Sequence, residues 1–277
     1  MQTWQTTRFS IDLSRPRVMG IVNVTPDSFS DGGRHADTAA ALRHAQRLVE
    51  EGADILDIGG ESTRPGAPSV PAEEEWARID GVLRGALSWG VPLSVDTCKP
   101  EVMQRGLDLG ADIVNDVKAL GAPGALSTVA RHPSCGVCVM HMRGSPATMQ
   151  HAPAYDDVVE EVRDFLGSRL QALGEAGIAL ERITLDPGIG FGKTPQHNLE
   201  LLRRQDELLG LGRPLLLGWS RKSTLGEVTG RPVEQRLAAS LAAALGAVRQ
   251  GAAIVRVHDV AQTVDALRVW GAAGLLK

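Results

Sequence analysis

Ala253-Ile254-Val255-Arg256-Val257-His258 is an apolar, β-branched run with a guanidinium near its end and an imidazole just after it. Val and Ile suit a pleated, half-buried backbone, and the run has the length of a strand. An arginine inside a buried strand demands partners, because an uncompensated charge is costly to desolvate. The run therefore predicts a buried strand that delivers charge to one end of a sheet.

Working outward, the same pattern recurs along the chain. Short apolar runs end near Asn23, Ile58, Asp96, Asn115, His141, Leu185, Trp219 and Val257. Between them lie amphipathic segments with helical spacing: Leu42, Ala45, Leu48 and Val49; then Trp76, Ile79, Val82, Leu83 and Ala86. The spacing continues in Val158, Val162, Phe165, Leu166 and Leu170, in Leu237, Leu241 and Leu245, and in Val264 and Leu267. Alternating strands and helices build a parallel sheet, and eight strands suffice to close it. The predicted fold is an α/β architecture, a (β/α)₈ TIM barrel formed as one domain over residues 1–277. Phe9, Ile11 and Leu13 alternate ahead of the first barrel strand, which predicts a short strand or hairpin closing the bottom. The competing fold is a doubly wound open sheet. Its glycine-rich dinucleotide turn is absent, since Asn23-Val24-Thr25-Pro26-Asp27 occupies that place.

Composition narrows the function classes. The 277 residues are 43% hydrophobic and 22% charged, values that fit an ordinary globular protein rather than a disordered or fibrous chain. A net charge of -4 offers no broad attraction for nucleic acid or an anionic membrane, so neither is expected as a partner. Residues 1–9 are polar and lack a signal-peptide core, and no apolar stretch is long enough to span a membrane. Cys98, Cys135 and Cys138 are irregularly placed and do not form a disulfide framework, which predicts a reducing, cytoplasmic setting. Cys135 and Cys138 lack the second ligand pair a zinc site would need.

The polar residues at strand ends carry the functional signal. Asn23, Asp57, Asp96, Asn115, Asp186, Lys222, Arg256 and His258 fall at or just after such ends, and a barrel brings them to one face. Asp96, Asn115 and Asp186 offer acceptors and one donor-acceptor amide, a set that matches a flat nitrogen heterocycle with amino and lactam edges. Arg64, Arg256 and His258 form a candidate phosphate group, with the guanidinium forks suited to non-bridging oxygens. Asn23 can ligate Mg²⁺ through its amide oxygen, with diphosphate and water completing the shell. Asp27 and Asp31 lie in the same loop. Residues 25–35 and 61–71 are rich in Gly, Pro, Ser and Asp, as expected of loops at a catalytic rim. Lys222 and Ser223 follow the seventh strand and can contact a ring substituent or a carboxylate. The turn Asp186-Pro187-Gly188-Ile189-Gly190-Phe191-Gly192-Lys193 allows close backbone approach, but its spacing is not that of a nucleotide P-loop.

Taken together, these motifs resemble the dihydropteroate synthases. Residues 19–33 are similar to the family's first signature, and Asp57-Ile58-Gly59-Gly60-Glu61-Ser62-Thr63-Arg64-Pro65-Gly66 to its second. Further matches are Val95-Asp96-Thr97, Asn115-Asp116, Met140-His141-Met142, the turn from 186 to 193, residues 220–223 and Arg256-Val257-His258-Asp259. The resemblance spans essentially the whole chain. It implies a commonly dimeric barrel that requires Mg²⁺ and joins 4-aminobenzoate to 7,8-dihydropterin-6-ylmethyl diphosphate, releasing diphosphate. By the same resemblance, Asp96, Asn115, Asp186 and Lys222 hold the pterin, while Asn23 helps hold the magnesium diphosphate. Arg64, Arg256 and His258 hold the diphosphate itself. Thr63, Pro65, Ile189, Lys222 and Ser223 border the aminobenzoate pocket, where sulfonamides bind in the family. Asn23, Asp96, Lys222, Arg256 and His258 are the residues expected to carry catalysis. Arg143 stands where glutamine is frequent and Ile189 where phenylalanine is frequent.

Two other functions share part of this pattern. A methyltetrahydrofolate-dependent methyltransferase barrel would use Asp96, Asn115 and Asp186 but needs no diphosphate site. A catalytically poor pterin-binding paralogue would keep the pocket without the chemistry.

Overall fold

The computed structural model describes residues 3–25, 33–63, 66–145, 148–149 and 152–276, with side chains of residues 33–37 excepted. Arg64, Pro65, Asp27 and Asp31 lie outside the described residues.

A two-stranded hairpin, β1 (Thr3–Gln5) and β2 (Ser10–Asp12), comes first. Eight strands then follow: β3 (Arg17–Asn23), β4 (Ile55–Gly59), β5 (Leu93–Asp96), β6 (Ile113–Asp116), β7 (Gly136–Met140), β8 (Ile183–Asp186), β9 (Leu215–Leu217) and β10 (Ala252–Val257). Each pairs in parallel with its neighbours, and β10 returns to β3, so the sheet is closed. Closure excludes the open doubly wound alternative. The α-helices are α1 (Gly33–Glu50), α2 (Ala72–Ala86), α3 (Pro100–Leu109), α4 (Ala125–Arg131), α5 (Val158–Glu175), α6 (Pro195–Arg203), α7 (Ser223–Thr229), α8 (Leu237–Arg249) and α9 (Val260–Ala272).

Strand alternation divides the sheet into two faces. Val18, Val22, Leu56, Ile58, Val255 and Val257 pack outward with Ala41, Ala45, Leu48 and Ile79 of the helices. Inward, Met19, Ile55, Ile113, Cys138, Leu216 and Ile254 make an apolar layer that packs with Trp4, Ile11 and Leu13. The amino-terminal hairpin thus plugs the barrel floor, and Trp4 Nε1 donates to the Arg182 carbonyl at 2.8 Å. Above that layer the interior turns polar. The side chains there meet across strands that are not neighbours, which requires that they point inward.

Helix α8, the second between β9 and β10, departs from the sequence expectation. Of Leu237, Leu241 and Leu245, only Leu245 packs against the core, and only partly buried: Leu237 is 38% exposed, and the buried positions of α8 are Ser240, Ala243, Ala244 and Ala247. Small residues centre the contact with the barrel, and the leucine stripe meets it only at its Leu245 edge.

Candidate functional site

The site begins in β4 and β10. Asp57 has no exposed surface, and its Oδ2 accepts from Arg256 Nε at 2.6 Å and from Asn115 Nδ2 at 3.1 Å. Arg256 also donates through a terminal nitrogen to Asp96 Oδ2 at 2.6 Å. Three strands that do not touch one another, β4, β6 and β10, therefore converge on one carboxylate. The strand register places Asn23, Gly59, Asp96 and Asn115 side by side at the carboxyl end of the sheet. Asn23 is half-buried there.

Asp186 ends β8, where its Oδ1 accepts from Gly188 N–H at 2.7 Å. The turn that follows is held from beneath. Lys193 Nζ donates to the carbonyls of Gly188 at 2.9 Å and Phe191 at 3.1 Å, and sits 2.9 Å from His141 Nδ1. Gly188 has φ +70, and a Cβ there would lie 1.9 Å from the His141 carbonyl oxygen, so only glycine fits. A capping box between Thr194 and His197 then starts α6 and ends the turn.

Lys222 stands at the amino end of α7, with its ammonium 4.2 Å from the centre of the Phe191 ring. Phe191 packs with Val117, Met140 and Met149, an apolar wall beside the polar edge. His258 follows β10. Ser220 Oγ accepts from the His258 backbone N–H at 3.2 Å and lies 3.0 Å from His258 Nδ1, which fixes the ring against the end of β9.

Burial and crowding of like charge set the protonation states. Burial and the neighbouring Asp57 push the Asp96 carboxyl up, against the pull of Arg256. Asp186 is likewise raised by burial, opposed by Gly188 N–H and Lys222. Burial and then the Arg256 charge lower the Lys222 ammonium to about 8. Burial and the same arginine lower His258 to about 3, so its imidazole is neutral near pH 7. Three carboxylates and two cations thus surround one buried polar floor with an apolar wall at its side.

This arrangement suits a flat heterocycle held by its edge, and the comparisons with known proteins agree. Residues 19–258 match the family model described as "Pterin binding enzyme". The chain is 55% identical over 278 residues to the dihydropteroate synthase of Neisseria meningitidis serogroup B, covering 98% of both chains. The chain belongs to the dihydropteroate synthase family. Among solved members, the Xanthomonas albilineans dihydropteroate synthase with 4-aminobenzoic acid superposes with a TM-score of 0.92 at 52% identity, covering 99% of this chain and 100% of that one. The Burkholderia cenocepacia enzyme complexed with 7,8-dihydropteroate gives 0.90 at 51% identity, covering 98% and 96%. As a dihydropteroate synthase the chain is a transferase.

The structure brings Asp96, Asn115, Asp186, Lys222 and Arg256 together as the sequence predicted, with Asn23 beside them and His258 on the adjoining Ser220. Thr63 is half-buried just past β4. Ser223, the first residue of α7, is exposed. Ile189 is only 2% exposed and packs in the same cluster as Leu217 and Trp219. Sequence reading missed the bridging part of Asp57, although a carboxylate within Ile55-Leu56-Asp57-Ile58 carries the same signal as the arginine in β10. It also missed the wall of Phe191, Met140 and Val117, which no charge or spacing marks.

Proposed function

We propose that the polar floor and its rim loops join 4-aminobenzoate to 7,8-dihydropterin-6-ylmethyl diphosphate, releasing diphosphate and forming 7,8-dihydropteroate. The observation that carries this reading is the convergence of Asp96, Asn115 and Asp186 beside Arg256 and Lys222 at one end of a closed barrel. Asp96, Asn115 and Asp186 take the amino and lactam edge of the pterin, and Phe191 and Met140 face its plane. Lys222 donates to a ring acceptor, while Arg256, His258 Nε2 and Arg64 receive the diphosphate. Thr63, Pro65, Ile189, Lys222 and Ser223 border the aminobenzoate.

The chemistry follows from electron supply. As the methylene carbon–oxygen bond breaks, positive charge at that carbon spreads into the electron-rich dihydropterin, and the buried carboxylates favour it. The aniline nitrogen attacks the carbon and then loses a proton to solvent or to the departing diphosphate. No strong side-chain base is required.

Mg²⁺ belongs to this reading as a partner of the diphosphate. Among the described residues no cluster of three or more His, Cys, Asp or Glu side chains forms a metal cage. The half-buried Asn23 supplies one hard oxygen donor, which fits an ion that keeps waters and takes most of its shell from phosphate. When bound there, the ion would neutralise charge on the leaving group.

The assembly is a homodimer in this reading, as is common in the family, and the exposed Val228, Val233 and Leu237 offer apolar surface for it. Nucleic acid and membrane are not partners, which the net charge of -4 supports. Among the described residues no helix is long and apolar enough to cross a membrane. We place the enzyme in the cytoplasm, where the free Cys98, Cys135 and Cys138 would stay reduced.

The test is diphosphate release by the purified protein given the pterin diphosphate and Mg²⁺, with and without 4-aminobenzoate. Release that depends on aminobenzoate and yields dihydropteroate is the expected result. Pterin binding without product at any Mg²⁺ concentration would instead leave a binding paralogue, and product formed from methyltetrahydrofolate a methyltransferase.

A further inference from the structure

Outside the pterin floor, one buried ionic cluster has no part in the reaction as described. Lys99 follows β5 by three residues, and its ammonium donates to Glu61 Oε2 at 2.6 Å and to Glu75 Oε2. Glu75 has no exposed surface, and the Glu61 and Lys99 side chains are 15% and 17% exposed. Ion pairs this sequestered are rarely needed for stability alone, since an apolar replacement of similar volume often serves as well.

The position of the cluster shows what it controls. Glu61 is the first residue past Gly59 and Gly60 at the rim end of β4, and its other oxygen, Oε1, accepts from Val70 N–H at 2.9 Å. One carboxylate therefore fastens both ends of the rim loop over 61–70, and Lys99 fastens that carboxylate to the β5–α3 turn. Arg78 of α2 adds a bond at 2.7 Å to the Gly60 carbonyl. Gly60 itself can lie against α2 because it has no Cβ, which would meet the Glu75 carbonyl oxygen at 2.8 Å. Burial alone would raise the Glu61 carboxyl, yet Lys99 and Val70 N–H keep it below its ordinary value, so the pair stays ionised. Lys99 follows Asp96 by three residues, so the same turn leads from the pterin floor to the base of this loop.

We propose that Lys99 and Glu61 are positioning residues for the aminobenzoate subsite: Lys99 holds Glu61, Glu61 holds Val70, and the clasp sets the loop base that carries Thr63. This rests on the reading that Thr63 borders aminobenzoate. The pterin edge has hydrogen-bond partners of its own, Arg256 for Asp96, Asp57 for Asn115 and Gly188 N–H for Asp186, and none of these bonds is made by the clasp. Loosening it therefore separates the two substrates: the loop loses its set position, and misplacement of a positioned group by about 1 Å can cost about a hundredfold in rate.

The test compares Lys99→Met and Glu61→Gln with wild type and with Arg105→Met, which breaks the exposed α2–α3 pair to Glu73 without touching the loop. In the two clasp variants the KM for aminobenzoate should rise about tenfold or more, while affinity for the pterin diphosphate stays within about twofold. Lys99→Arg should restore part of the loss. Amide hydrogen exchange should speed at Val70 in the clasp variants and not in Arg105→Met. Because Lys99→Met leaves Glu75 buried and uncompensated, Lys99→Met/Glu75→Gln replaces it if the single variant fails to fold. An unchanged aminobenzoate KM, an equal loss of pterin affinity, or unaltered exchange at Val70 would overturn the proposal. Hydrogen exchange needs no turnover, so a clasp that opens in a protein making no dihydropteroate would count against the reaction and not against the clasp.

Discussion

Arg256 donates its Nε to Asp57 at 2.6 Å from a strand two places away in the barrel, and the two residues are 199 positions apart in sequence. The pair aligns the guanidinium so that a second nitrogen reaches Asp96. Asp57 thereby fixes two groups of the proposed pterin and diphosphate sites without lying at the mouth itself.

Asp57→Asn should lower kcat/KM for the pterin substrate by about tenfold to a hundredfold. A hydrogen bond to a charged partner contributes about 1.5–3 kcal/mol, and about 1.4 kcal/mol is a factor of ten. The same change removes a like charge from beside Asp96, so that carboxyl should ionise at lower pH than in wild type. Steady-state kinetics and carboxyl titration by NMR check both. An Asp96 titration that does not move would show that the Asp57 charge does not set it.

Asp186→Asn tests the heterocycle edge with little disturbance of the fold. The amide oxygen can still accept from Gly188 N–H, which the carboxylate now holds at 2.7 Å. The other atom becomes a donor facing donors. A site built to hydrogen-bond a substrate group rejects a mismatch by about 10⁴. Thermal unfolding should therefore stay near wild type while pterin binding, read by calorimetry, is lost. Retained binding would remove Asp186 from the edge.

How much of this was legible in the sequence depended on the range of the interaction. Eight strands and their polar ends follow from local apolar runs, because burial and strand periodicity are written in neighbouring residues. Leu237 falls outside the packed face while Leu245 reaches its edge, because a helical stripe shows amphipathicity but not which side can approach most closely. Asp96, Asn115 and Asp186 were visible as polar ends of apolar strands. The pairing of Asp57 with Arg256, and of Lys99 with Glu61 and Glu75, was not, since it depends on barrel closure and loop return. The wall of Phe191, Met140 and Val117 gave no signal either, because ordinary apolar residues look like core until the polar groups beside them, such as Lys222 over the Phe191 ring, are placed.

The alkaline side of the pH profile should report Lys222. Its ammonium is lowered to about 8 by burial and by Arg256, with Asp186 and Asp96 pulling the other way. The charged donor is present below that pH and is lost above it. Affinity for the pterin diphosphate should therefore fall as pH rises through about 8. Lys222→Arg should carry the limb to higher pH, because guanidinium stays charged, and Lys222→Gln should flatten it at a lower overall level. A limb that persists unchanged in Lys222→Gln would assign it to another group.

Gly188, in the turn after β8, and Gly212, just ahead of β9, separate backbone strain from collision. Gly188 and Gly212 have nearly equal φ, +70 and +69, but a Cβ at Gly212 would meet nothing within 4 Å. Alanine at either position carries the left-handed backbone cost of about 1–2 kcal/mol. At Gly188 the new methyl would also lie 1.9 Å from the His141 carbonyl oxygen, forcing apart the turn that Lys193 ties to the end of β7. Gly212→Ala should lower stability by that backbone cost and leave kcat/KM unchanged. Gly188→Ala should lose about twice as much stability or more. It should also lower kcat/KM, since Asp186 accepts from the displaced N–H. Urea unfolding of both variants beside their kinetics decides the matter: equal and mild losses at the two positions would mean that the turn relaxes freely and does not set Asp186.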